Sequence, residues 1–214
     1  RSRADTEAAT PASYRLIMTL AALYGLSLFK VDIKAAFMQS GPIKRDIYVR
    51  PPRECQIHNI FWLLLVTAYG ITEAGRLWQL ASDDVLSNPD KMSLERLPNM
   101  KQLFVWRVKG RVVLVVGKLV DDFLGAARRK YIKQFCKKLR SYFTVGTIVI
   151  GPDRILFSGG NIISHSNANI TVDMEGYLSA IQPLTITRLR RRQVDELASD
   201  EERKGYQTVA GKLC

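Results

Sequence analysis

Apolar residues recur along this chain with two periods. Leu16, Ile17, Leu20, Leu23 and Tyr24 fall at helical spacing. Thr10 stands where a cap is needed, Pro11 in the first turn and Gly25 where the helix must stop. A second helical stripe is Ile132, Phe135, Cys136, Leu139 and Phe143, and residues 77–86 predict a third helix. Unbroken or β-branched apolar runs predict strands over 26–32, 60–66, 103–108, 111–119, 145–150 and 154–163. Lys109-Gly110 reads as a hairpin turn between two of them, and Gly151-Pro152-Asp153 joins the last pair. Residues 156–162 read as one continuous strand in which Gly159-Gly160 permits close backbone approach or marks a bulge. Toward the end, 170–173 is strand-like, 176–181 fits a short helix, and Ser199-Asp200-Glu201-Glu202 has the composition of a capped helix start.

Polar residues at the ends of these runs change the picture. Asp121 and Asp122 follow the strand over 111–119 with only Val120 between, and Phe123-Leu124 after them fit a second short strand. The acids therefore belong in a tight hairpin turn, where neighbouring side chains diverge: one can hold a metal while the other supports it. Asp is also a common turn residue, so the pair alone says little. Asp32 supplies the third acid, since it too ends an apolar run and precedes Ala35-Ala36-Phe37. Three carboxylates on adjacent strand ends suit two divalent cations that clamp the attacking and leaving oxygens of a phosphoryl transfer. Mg²⁺ needs few protein carboxylates when substrate phosphates complete its shell.

The 214 residues are enough for one large or two small units, and 47% hydrophobic content is ordinary for a globular chain. The net charge of +12 is not ordinary and points to a polyanion, with nucleic acid the default. Cys55, Cys136 and Cys214 form no disulfide framework, which fits a reducing compartment. Cys55 and His58 have ligand-like spacing without a second pair, which argues against zinc. The longest apolar run, 60–66, is far short of the roughly 20 residues that span a bilayer. No charged-then-apolar leader is visible.

Five ordered blocks between Val31 and Ile162 carry a resemblance. They are Val31-Asp32-Ile33-Lys34-Ala35-Ala36-Phe37; Ile47-Tyr48-Val49-Arg50-Pro51-Pro52-Arg53-Glu54; Ala68-Tyr69-Gly70-Ile71 with Gly75-Arg76-Leu77-Trp78; Val120-Asp121-Asp122; and Leu156-Phe157-Ser158-Gly159-Gly160-Asn161-Ile162. In these the chain resembles the reverse transcriptase of copia-type (Pseudoviridae-like) retrotransposons. The resemblance implies an α/β (α+β) right-hand polymerase fold, an antiparallel palm sheet backed by helices. Residues 1–39 would open the palm, 40–77 form a fingers segment, 78–165 complete the palm and 166–214 start the thumb.

It also implies a chemistry. Asp32, Asp121 and Asp122 would be the catalytic acids and hold Mg²⁺ (or Mn²⁺). The dNTP would lie against Ile33, Ala36, Phe37, Glu73 and Arg76. Phe37 is either the aromatic beneath the incoming sugar or a core residue of a short helix. Lys44, Arg45, Arg50 and Arg53 would touch template phosphates or form a solvated turn. Phe157, Gly159 and Gly160 would grip the primer end. The basic face of 128–140 reads as solvated surface or phosphate contact, and Arg188 to Arg192 as a compact basic cluster.

Four positions depart from the family's pattern: Thr72, Glu73 and Gly75 stand where lysine, glutamine and proline are usual, and Leu119 where a tyrosine is usual. Partners would be an RNA template and a DNA primer. The upstream finger strands and a ribonuclease H region, expected elsewhere in the same polyprotein, would make this chain a fragment. Its place would be cytoplasmic, in a virus-like particle, or nuclear, and not secreted. The other readings of the acids are a catalytically inactive relic that binds nucleic acid by charge, and a two-metal nuclease.

Overall fold

A computed structural model of the chain describes residues 7–55, 59–151, 154–165, 167, 169–181, 186, 190 and 197–213. The capping prediction at the first helix is met atom by atom. Helix α1 is Pro11–Tyr24; the Thr10 side chain accepts from the Ser13 N–H, and Gly25 turns the chain out with φ +58°. Strand β1, Ser27–Ile33, follows, and a 3-10 turn covers Ala36–Gln39. A two-stranded ribbon comes next, β2 Tyr48–Val49 and β3 Trp62–Leu63. Helix α2 is Ala74–Ser87, and strands β4 to β7 are Glu95–Arg96, Leu103–Val108, Arg111–Leu119 and Asp122–Ala127. Helix α3, Arg129–Arg140, leads into β8, Val145–Ile150. The remaining elements are β9 Ile155–Phe157, β10 Gly160–Ser164, β11 Ile170–Asp173, α4 Glu175–Ser179 and α5 Asp200–Leu213.

Six strands form one antiparallel sheet in the order β4-β5-β6-β7-β1-β8. Side chains alternate across a strand, so β1 feeds two cores. Phe29, Val31 and Ile33 join Trp78 and Leu86 of α2 and Phe135 and Leu139 of α3 on one face. Leu28 joins Ile17 and Ala21 of α1 on the other, where Ile155, Phe157 and Ile162 complete the layer. The fold is thus mixed α/β with antiparallel sheets and, among the described residues, five α-helices. None of these helices is long and apolar enough to cross a membrane.

The stripe of α3 is buried as its spacing predicts. Its other face carries Lys133, Lys137, Lys138 and Arg140 into solvent. None of the seven cations from Arg128 to Arg140 pairs with an acid among the described residues. Lys130 and Lys138 instead lie over the Tyr131 and Trp106 rings. At α5 the predicted capping box is present: Ser199 N–H donates to Glu202 Oε2 and Glu202 N–H donates to Ser199 Oγ.

Two sequence expectations are corrected. Residues 60–66 are neither a continuous buried strand nor a core segment: Trp62 and Leu63 pair with β2, Val66 makes one isolated bridge to Pro42, and Leu65 is 73% exposed. The ribbon pairs only with itself and none of its residues reaches full burial. Residues 156–162 are not one strand but the hairpin of β9 and β10. Ser158 and Gly159 both adopt positive φ (+49° and +78°), the geometry of a two-residue hairpin turn. The Pro152-Asp153 turn, His58 and most of the basic cluster (Arg188, Arg191 and Arg192) lie outside the described residues.

Candidate active site

Asp32 is the penultimate residue of β1 and Asp122 the first of β7, and the two are register partners. Paired residues of neighbouring antiparallel strands project to the same face. Here that is the face covered by α1. Asp121 sits beside them in the two-residue loop that Val120 and Asp121 make between β6 and β7. Three contacts hold this loop in place. Ile33 N–H donates to the Asp121 carbonyl (3.0 Å), Trp78 Nε1 donates to the Val120 carbonyl (2.7 Å), and Leu119 pairs with Asp122 across the hairpin. Val120 has φ +54°, a strained conformation for a β-branched residue.

The base of the hairpin is anchored electrostatically. Lys118 is buried on the α2 face, where its Nζ donates to Asp83 (2.5 Å) and Ser82 (2.6 Å). Burial pushes the Lys118 pKa down, and the Asp83 charge opposes that shift. Asp83 also accepts from Gln102 Nε2 at 3.1 Å.

On the acid face, Lys30 Nζ lies 3.0 Å from Asp122 Oδ1 and donates to the Leu156 carbonyl at 3.1 Å. Asp122 Oδ1 is buried without an aligned hydrogen bond, so the Lys30 contact is an ion pair without hydrogen-bond geometry. Burial raises the Asp122 pKa; Lys30 opposes the rise, and Asp121 and Asp32 add to it. The three carboxylates therefore share one field. The buried Tyr14 hydroxyl, also without a hydrogen-bond partner, is raised by burial and by Asp122.

Asp32 leans the other way, toward β8. Its Oδ2 occupies the place where a Cβ on Gly146 would stand. Among the described residues no three His, Cys, Asp or Glu side chains gather into a metal-holding group. The donors nevertheless fit Mg²⁺ or Mn²⁺ in kind: all are carboxylate oxygens, and Asp122 Oδ1 is an acceptor lacking a hydrogen bond.

The other predicted residues divide into groups. Lys44, Arg45, Glu73 and Arg76 line one cavity of about 340 Å³ with Thr67 and Leu77. Within it Arg45 pairs with Glu73 at 2.9 Å, which offsets that carboxylate's charge. Arg50 and Arg53 are exposed and outside that lining. Phe37 is half-buried with its ring edge-on to Tyr69, 4.8 Å between centroids. Ile33 and Ala36 turn their side chains into the core, leaving only backbone for a ligand. Phe157 is also buried, edge-on to Tyr14 at 4.8 Å, while its neighbour Leu156 is exposed. Gly159 makes the hairpin turn and Gly160 is buried at the start of β10.

The family model described as reverse transcriptase (RNA-dependent DNA polymerase) matches residues 7–190. The chain belongs to that family. No solved structure matches it.

In this reverse transcriptase domain the residues that sequence reasoning missed are supports. Lys30, Gly146, Asp83 and Lys118 carry no motif of their own. Only Gly146 left a signal, a glycine inside a predicted strand. Trp78 was visible within a matching block, but its bond to the acid loop was not.

Proposed function

We propose that the chain is the polymerase core of a copia-type reverse transcriptase, extending a DNA primer on an RNA template. The observation that carries this reading is the register pairing of Asp32 with Asp122, with Asp121 in the adjoining loop. In the reaction the primer 3′-hydroxyl gives its proton to solvent water as its oxygen bonds to the α-phosphorus of a dNTP, the bond to the β-phosphate bridge breaks, and pyrophosphate leaves. Asp32, Asp121 and Asp122 would hold Mg²⁺, which when bound neutralises charge on the reacting phosphate. The chain's own contribution is positioning: the Trp78 and Ile33 bonds fix the loop before substrate arrives. Lys44, Arg45 and Arg76 offer the cavity's positive charge to a triphosphate or template phosphate. Residues 1–39 and 78–165 would be palm, 40–77 fingers and 166–214 the thumb start.

The test is primer extension on an RNA template with Mg²⁺ and dNTPs beside Asp121→Asn. Extension that disappears in the variant supports the assignment; extension that persists removes it. A second reading draws on the Lys30 ion pair and the ungathered carboxylates: an inactive domain that binds nucleic acid by charge. Its binding would be steeply salt-dependent and indifferent to Mg²⁺.

A further inference from the structure

We propose that Lys30 is a positioning residue, a built-in counter-charge that ties Asp122 to the β9–β10 hairpin and competes with a divalent cation for that acid. The competition rests on the polymerase reading; the tie does not. Lys30 and Asp122 project from adjacent strands on the α1 face, two residues out of register. The ammonium touches Asp122 Oδ1 at 3.0 Å and the Leu156 carbonyl of β9 at 3.1 Å, and lies 6.0 Å from the centre of the Phe157 ring. One cation thus bridges the acid cluster and a hairpin that belongs to a different sheet. Tyr14 closes the site from α1, its ring on Phe157.

Two positive charges cannot share one carboxylate oxygen closely without repulsion. A metal ion reaching Asp122 Oδ1 must displace the ammonium, which then releases Leu156. Metal occupancy and the position of the hairpin are coupled through this side chain. Removing the charge should help the metal and free the hairpin, whereas loss of a purely structural contact would weaken both.

The experiment uses the full chain with Mn²⁺ alone, free ion being read by electron paramagnetic resonance. Hydrogen exchange of the β9–β10 amides is read separately in metal-free buffer. Lys30→Met should bind Mn²⁺ about fivefold more tightly than wild type, the scale of a partly exposed ion pair, and Lys30→Arg should not. Exchange in the hairpin should quicken in Lys30→Met and in Asp122→Asn. Near-ultraviolet circular dichroism checks that each variant is folded, and Lys30→Gln replaces Lys30→Met if it is not. Unchanged Mn²⁺ affinity in Lys30→Met overturns the competition, and unchanged exchange overturns the tie. If wild-type Mn²⁺ binding is indifferent to Asp121→Asn, the metal reading fails by itself and the tie is decided by exchange.

Discussion

The indole of Trp78 donates to the carbonyl of Val120, so a helix on one face of the sheet holds the strained loop that carries Asp121. Trp78→Phe keeps an aromatic ring but removes the donor. Stability should fall by about 2 kcal/mol from the lost bond and the small void. In primer extension kcat should fall while KM for dNTP changes little, because the loop and not the cavity is disturbed.

Gly146→Ala places a methyl group where the Asp32 carboxylate now lies. The carboxylate can swing aside, so the fold survives and the melting temperature should stay within about 3 °C. If Asp32 holds the metal as proposed, displacing it by an ångström should cost on the order of 100-fold in rate. Near-wild-type melting with extension reduced to that degree is the expected pair of results.

Asp83→Asn leaves the Lys118 ammonium buried with a neutral partner. Breaking a buried pair in this way costs about 3–5 kcal/mol. Urea unfolding should show that loss in the midpoint, with the slope unchanged.

Cys136 is buried in α3, and burial raises its pKa to about 11, with Arg140 opposing. The folded state holds this proton more tightly than the unfolded state. Its contribution to stability is therefore present below the ordinary thiol pKa and is lost as pH rises toward about 11. At pH 8, iodoacetamide should label exposed Cys55 and spare Cys136 until the protein is unfolded, as peptide mass spectrometry would show.

The local elements were legible because their signals are local. Thr10, Pro11 and Gly25 bound α1, and Lys109-Gly110 turns β5 into β6 with both residues at positive φ. Burial was not legible at 60–66, since an apolar run looks the same whether a layer covers it or not. The β9–β10 turn is hidden in the sequence because Gly159-Gly160 fits a close approach or a bulge within one strand as well as it fits a turn. At the site the acids stood out by type and position. Lys30 and Gly146 did not, because their roles arise from strand pairings that join distant parts of the chain.

Helix α3 packs on the sheet face opposite Asp32 and Asp122, and the stretch from Arg128 to Arg140 carries seven cations without an acidic partner among the described residues. All seven are exposed, so this helix presents unneutralised positive charge to solvent, and the whole-chain value of +12 says nothing of which face a polyanion would meet first.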